Sequence, residues 1–157
     1  LTVHATGGED MLRAAVEGAA AAGKGTRVVA VTLLTSLDAQ AMPPGFAHPF
    51  DLDATVAALL ETAERAGAAG IVCSAADLEG LRRLRGGRPF YAVTPGIRPA
   101  GGEAQDQKRV ATIGEAVRLG AGLLVLGRAI TGAADPRAAL EAARVERDEV
   151  LQADHGR

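Results

Sequence analysis

The chain has 157 residues, 48% of them hydrophobic and 23% charged, with a net charge of -2. That is enough for one domain with a sizeable core, and it gives no electrostatic footprint for nucleic acid. No apolar run approaches the roughly 20 residues that cross a bilayer, so a membrane segment is not expected.

The chain opens on Leu1 within "LTVHA" (1–5), which already reads as a strand in progress and raises the expectation of upstream sequence. Four more apolar runs follow: "RVVAVTLL" (27–34), "GIVCSA" (70–75), "FYAVTPGI" (90–97) and "LLVLGRAI" (123–130). They are β-branched and nearly continuous, as parallel strands covered on both faces are. Amphipathic helices are expected between them. Met11, Leu12, Ala15, Val16 and Ala19 share one helical face, and Val56, Leu59, Leu60 and Ala63 share another. Thr112 to Glu115 has the spacing of a capping box, and Asp135-Pro136 offers an N-cap with proline after it. Gly23, Gly67 and Gly120 stand where helices should close.

Alternating β and α elements predict an α/β fold with right-handed crossovers, either a doubly wound sheet or a TIM barrel. Residues 1–150 form a single domain on this reading, with 151–157 as a tail. In both architectures function sits at the carboxyl ends of the strands. That rim holds Thr35-Ser36, Ser74, Thr94 to Arg98, and Gly127-Arg128. The glycines of "GAGLLVLG" (120–127) precede their strand, whereas a dinucleotide fingerprint follows one and opens a helix.

Two rim segments suit an anionic ligand. Gly127 would let a phosphate approach the backbone, and the Arg128 guanidinium offers parallel donors to its oxygens. Arg98 and Gln107 lie in the glycine-rich stretch "VTPGIRPAGGEAQDQKR", which reads as a cationic loop able to close over a ligand. A surface arginine and a solvated loop are the plain alternatives. The three histidines and Cys73 are scattered, so no metal site is expected. The lone cysteine excludes an internal disulfide, suits a reducing cytoplasmic setting, and reads as a small core residue. His4 reads as structural, His48 carries no assigned role, and "LRRLRGGR" (81–88) reads as a solvated helix face and end.

In order along the chain, "TVHATGG", "VTLLTS", "GIVCSA", "VTPGIRP…DQKR" and "VLGRAITGAADP" resemble successive blocks of the bacterial orotidine 5'-phosphate decarboxylase family. The resemblance covers residues 1 to about 145 and implies a TIM (β/α)8 barrel, of which this chain would hold strands four to eight. It implies that Thr35 hydrogen-bonds a pyrimidine ring, that Arg98 and Gln107 reach the ligand from a lid, and that Gly127 and Arg128 cradle its phosphate. It further implies decarboxylation of orotidine monophosphate to UMP and CO2 in pyrimidine synthesis, without a cofactor, by a homodimer. A related sugar-phosphate barrel enzyme and a non-catalytic nucleotide-binding module are the other readings.

One part of the family pattern is missing. The family's alternating Lys and Asp array rests on an Asp-x-Lys-x-x-Asp strand, whereas the lysines here, Lys24 and Lys108, lie in no such motif. The chain is therefore expected to hold the nucleotide-binding half of the site and no catalytic residue, and to be inactive alone. Five of eight strands would also leave two open sheet edges.

Overall fold

The computed structural model describes residues 1–37, 42, 50–99 and 110–155. Each predicted apolar run supplies a short strand: β1 (Thr2–His4), β2 (Val29–Val31), β3 (Gly70–Val72), β4 (Ala92–Thr94) and β7 (Leu123–Leu124). All pair in parallel in the order β1-β2-β3-β4-β7. A second, two-stranded parallel ladder joins β5 (Ile97–Arg98) to β6 (Ala111–Thr112). The strands are shorter than the runs because the flanking apolar residues pack in turns and helix starts.

The helices are α1 (Glu9–Ala21), α2 (Leu52–Arg65), α3 (Ala75–Leu84), α4 (Ile113–Arg118), α5 (Arg128–Thr131) and α6 (Pro136–His155). Their ends follow local chemistry. Asp51 caps α2 by accepting from the Ala54 amide, and Asp135 Oδ1 accepts from the amides of Arg137 and Ala138 at 3.0 Å. Gly23, Gly67 and Gly120 take positive φ just past α1, α2 and α4, where a side chain would be strained. The last part of "LLVLGRAI" turns into α5, and α6 extends to His155.

Leu12, Val56, Leu60, Ile71, Leu78 and Leu81 bury almost completely between the sheet and α1 to α3. Burying each such side chain contributes about 1.5–3 kcal/mol. The predicted face of α2 turns inward as expected. On α1, Leu12 is buried, but Met11 is 41% exposed and lies over Gly7. A second, smaller cluster joins Ile97, Ile113, Ala116 and Ala143. With few aromatics, close backbone approach replaces ring packing. At Gly122 a Cβ would come within 2.7 Å of the Tyr91 ring, and at Gly70 it would overlap the Tyr91 carbonyl.

The capping box on α4 forms in both directions. The Glu115 amide donates to Thr112 Oγ1 at 3.2 Å, and the Thr112 amide donates to Glu115 Oε2 at 2.8 Å. That backbone donor, helped by the Thr112 side chain and Arg118, holds the Glu115 carboxyl below its ordinary value. A depressed folded pKa means the stabilisation is complete above the unfolded value and fades as pH falls through the folded one. Glu115→Ala is expected to lower the thermal midpoint near pH 7, with the gap closing as pH falls below the ordinary carboxylate range. A gap independent of pH would show that the carboxylate charge contributes nothing.

Candidate functional site

Parallel pairing brings the carboxyl ends of β1, β2, β3, β4 and β7 to one edge of the sheet. Short backbone bonds tie neighbouring ends together. Thr32 donates its amide and its hydroxyl to the Val72 carbonyl, at 3.2 and 3.0 Å. The Cys73 amide donates to Val93 at 3.1 Å, and the Val125 amide to Thr94 at 2.9 Å. The residues that follow the strands therefore project from a fixed rim.

Thr35 is half-buried in the turn after β2, and Ser36 beside it is exposed. Ser74, after β3, is committed to its helix. Its hydroxyl accepts from the Asp77 amide at 3.3 Å, while its own amide donates to Asp77 Oδ2 at 2.8 Å. This second capping box was legible in the spacing of Ser74 and Asp77.

Arg98 departs from expectation. It belongs to β5, not to the loop, and is only 7% exposed. Gly96, at φ 78, turns the chain after β4, and the Ala111 amide donates to the Gly96 carbonyl at 3.2 Å. The Ile97–Arg98 ladder with Ala111–Thr112 then clamps the two feet of the intervening segment together. Arg98 Nη1 donates to the Ile97 carbonyl at 3.0 Å, which orients the guanidinium. Gln107 and the rest of 100–109 lie outside the described residues, as does His48.

Gly127 caps α5, and its carbonyl accepts from the Ile130 amide at 2.9 Å and the Thr131 amide at 3.1 Å. Among the described residues a Cβ at Gly127 would meet nothing within 4 Å, so the space over this backbone is open to them. Arg128 is exposed beside it. β4 and β7 are neighbours, which brings the Arg98 and Arg128 segments to adjacent positions on the rim, with Thr35 further along beyond β3.

Other chemistry-bearing groups sit elsewhere or are enclosed. His4 is exposed at the end of β1, and Cys73 is buried as a core residue. Lys24 is exposed in the turn entering the amino end of β2, away from the rim. Among the described residues no group of three or more His, Cys, Asp or Glu is placed to hold a metal. No described helix is long and apolar enough to cross a membrane.

Sequence reasoning missed Thr94 as an individual residue. It is fully buried at the end of β4, and its Oγ1 has no hydrogen-bond partner among the described residues. An enclosed hydroxyl without a partner carries a desolvation cost of about 1–3 kcal/mol. Thr94→Val is expected to hold or raise the thermal midpoint of the ligand-free chain. A clear loss of stability in thermal unfolding would mean that the hydroxyl is satisfied.

The sequence model described as "Orotidine 5'-phosphate decarboxylase / HUMPS family" matches residues 1–143. The chain is 52% identical over 143 residues to the orotidine 5'-phosphate decarboxylase of Anaeromyxobacter dehalogenans, covering 90% of this chain and 60% of that protein. It is 44% identical over 144 residues to that of Cutibacterium acnes, covering 92% and 61%. Among solved structures, the Lactobacillus acidophilus orotidine 5'-phosphate decarboxylase superposes with a TM-score of 0.75 at 35% identity, over 93% of this chain and 62% of that one. An uncharacterized conserved protein from Geobacillus kaustophilus gives 0.72 at 33%, with the same coverage. The decarboxylase structures are TIM-barrel enzymes, and the parallel α/β arrangement here follows theirs. The chain spans about 60% of the length of the curated relatives it matches.

Proposed function

As the chain belongs to the orotidine 5'-phosphate decarboxylase / HUMPS family, we propose that it forms strands four to eight of a (β/α)8 barrel whose rim binds orotidine monophosphate. The complete enzyme converts that nucleotide to UMP and CO2, and works as a homodimer. The observation that carries this reading is the order of groups on the rim: the hydroxyl of Thr35 after β2, a buried arginine after β4, and an open glycine with an exposed arginine after β7. β2 and β7 are three strand spacings apart, roughly 14 Å along the rim. That span suits a ligand with a polar ring at one end and a phosphate at the other.

On this reading Thr35 bonds the pyrimidine ring, and Gly127 admits the phosphate to the backbone while Arg128 neutralises it. Arg98 is held at the foot of the 99–110 segment, and Gln107 reaches from that segment to base and phosphate together. Closing the segment over the nucleotide excludes water and strengthens every charge interaction inside.

The bond-breaking step needs groups that the described residues do not place on the rim. When the carbon–carboxylate bond breaks, CO2 leaves and its electron pair stays on the ring carbon, which then takes a proton to give UMP. A carboxylate beside the leaving group and an ammonium as proton donor serve that chemistry. The only lysine among the described residues, Lys24, is at the opposite end of β2.

Two outcomes follow. The 157-residue chain, purified and folded, is expected not to decarboxylate orotidine monophosphate, as followed by loss of substrate absorbance. Turnover above the uncatalysed rate would place the acid-base groups within this chain. Arg128→Ala is expected to weaken UMP binding by about 2–5 kcal/mol in calorimetry and to leave uridine binding nearly unchanged. Equal losses for both ligands would show that Arg128 supports the fold and not the phosphate.

A further inference from the structure

The end of the sheet opposite the rim has a charge pattern of its own. Residues 22–28, 66–69, 85–91 and 119–122 lead from α1, α2, α3 and α4 into β2, β3, β4 and β7 at the amino ends of those strands. Lys24, Arg27, Arg85 and Arg88 lie in these connections, and no Asp or Glu does. Two of the four are engaged: Arg27 lies over the Tyr91 ring at 5.2 Å, and Arg85 makes two hydrogen bonds to Glu64. Arg88 is exposed.

Between the ends of α3 and α4 this basic face folds into a cleft of about 220 Å³. Arg82 and Arg88 line it together with Pro89, Phe90 and Leu119, and no described Asp or Glu does. The neighbouring arginines face carboxylates, Arg83 towards Asp53 at 3.9 Å and Arg85 towards Glu64 at 2.6 Å. Arg82 and Arg88 form no ion pair among the described residues. The two arginines of the run without a carboxylate are thus the two that line the cleft. A cation at a helix end ordinarily answers the carbonyl dipoles there. Arg82 does so with one nitrogen, since its Nη1 donates to the Arg118 carbonyl at 3.1 Å. That bond holds the guanidinium across the gap between the two helices and leaves its other N–H donors available among the described residues. Arg88 lies past α3, beyond the turn in which the field of the helix end acts.

We propose that this cleft is an anion site for a small phosphate monoester, separate from the rim at the other end of the sheet. Two guanidiniums without carboxylate partners match a dianion, and each can direct parallel donors at phosphate oxygens. A monocarboxylate would leave one of them unanswered. Pro89, Phe90 and Leu119 give the carbon part of the ester an apolar surface to cover. The cleft is smaller than the roughly 300–1,000 Å³ of sites for drug-sized ligands, so it suits a short-chain or single-ring ester and not a nucleotide. Occupancy ties the connection before β4 to the end of α4. It does not depend on which ligand the rim takes.

The test titrates phenyl phosphate into the 157-residue chain and follows amide chemical shifts by NMR, with phenol and inorganic phosphate as comparison ligands. Saturable shifts are expected at Gly87, Arg88, Phe90 and Gly120. Inorganic phosphate should bind there about threefold or more weaker, because it leaves the apolar lining uncovered, and phenol should cause no shifts. Arg82→Gln and, separately, Arg88→Gln should each weaken phenyl phosphate about tenfold or more. Arg88 is exposed and outside the helices, so the thermal midpoint of its variant should match the parent. Arg83→Gln, at a site that faces Asp53, should bind as the parent does. Arg128→Ala should leave these shifts unchanged, which separates the cleft from the rim. No saturable binding, shifts confined to Gly127 and its neighbours, or phenol binding as well as its phosphate would each overturn the proposal. So would inorganic phosphate binding as tightly as the ester, or equal losses for Arg83→Gln and Arg88→Gln.

Discussion

Parallel pairing from β1 through β7 is the constraint on which the other features of this chain depend. Parallel neighbours cannot be joined by tight hairpins, so each strand must be followed by a crossover long enough to return to the starting end. The helices α1 to α4 serve these returns, and their apolar faces cover the sheet. The same geometry puts every strand's carboxyl end on one side. The rim is thus a consequence of strand direction, before any particular side chain is considered.

The core that supports this rim is built from small and branched aliphatic residues. Aromatic residues make up 3% of the chain. Tight packing is reached where backbone comes close to its neighbours, as Gly70 does against the Tyr91 carbonyl and Gly122 against the Tyr91 ring. Two guanidinium groups lie over aromatic rings at the periphery: Arg27 over Tyr91 at 5.2 Å, and Arg85 over Phe90 at 5.5 Å. Arg85 also makes two hydrogen bonds to Glu64, at 2.8 and 2.6 Å. The run 81–88 is therefore not uniformly solvated, because one of its arginines anchors α3 to α2 and packs on a ring.

The two rim arginines differ in how they are held, and this bears on what each can do. Arg98 is enclosed and oriented by a ladder and by the Ile97 carbonyl, so its position is set before a ligand arrives. Arg128 is exposed, next to Gly127. Among the described residues no lysine reaches this rim.

By itself the sequence determined the features governed by local rules. Apolar runs, helix periodicity, the Thr112–Glu115 box, the Asp135 cap and the closing glycines depend on residues a few positions apart, so their spacing is enough to reveal them. The ordered motif blocks also carried the family, because each block is a short strand end with its turn. Tertiary structure alone decided the pairing of β5 with β6, the burial of Arg98, the outward turn of Met11, the orphaned Thr94 hydroxyl and the cleft that Arg82 and Arg88 line. Each of these depends on which distant segment comes to lie alongside, as Ala111 does beside Ile97. A one-dimensional pattern records the preference of a residue for burial or for a turn, but the neighbour that satisfies or exposes it is chosen only when the sheet assembles.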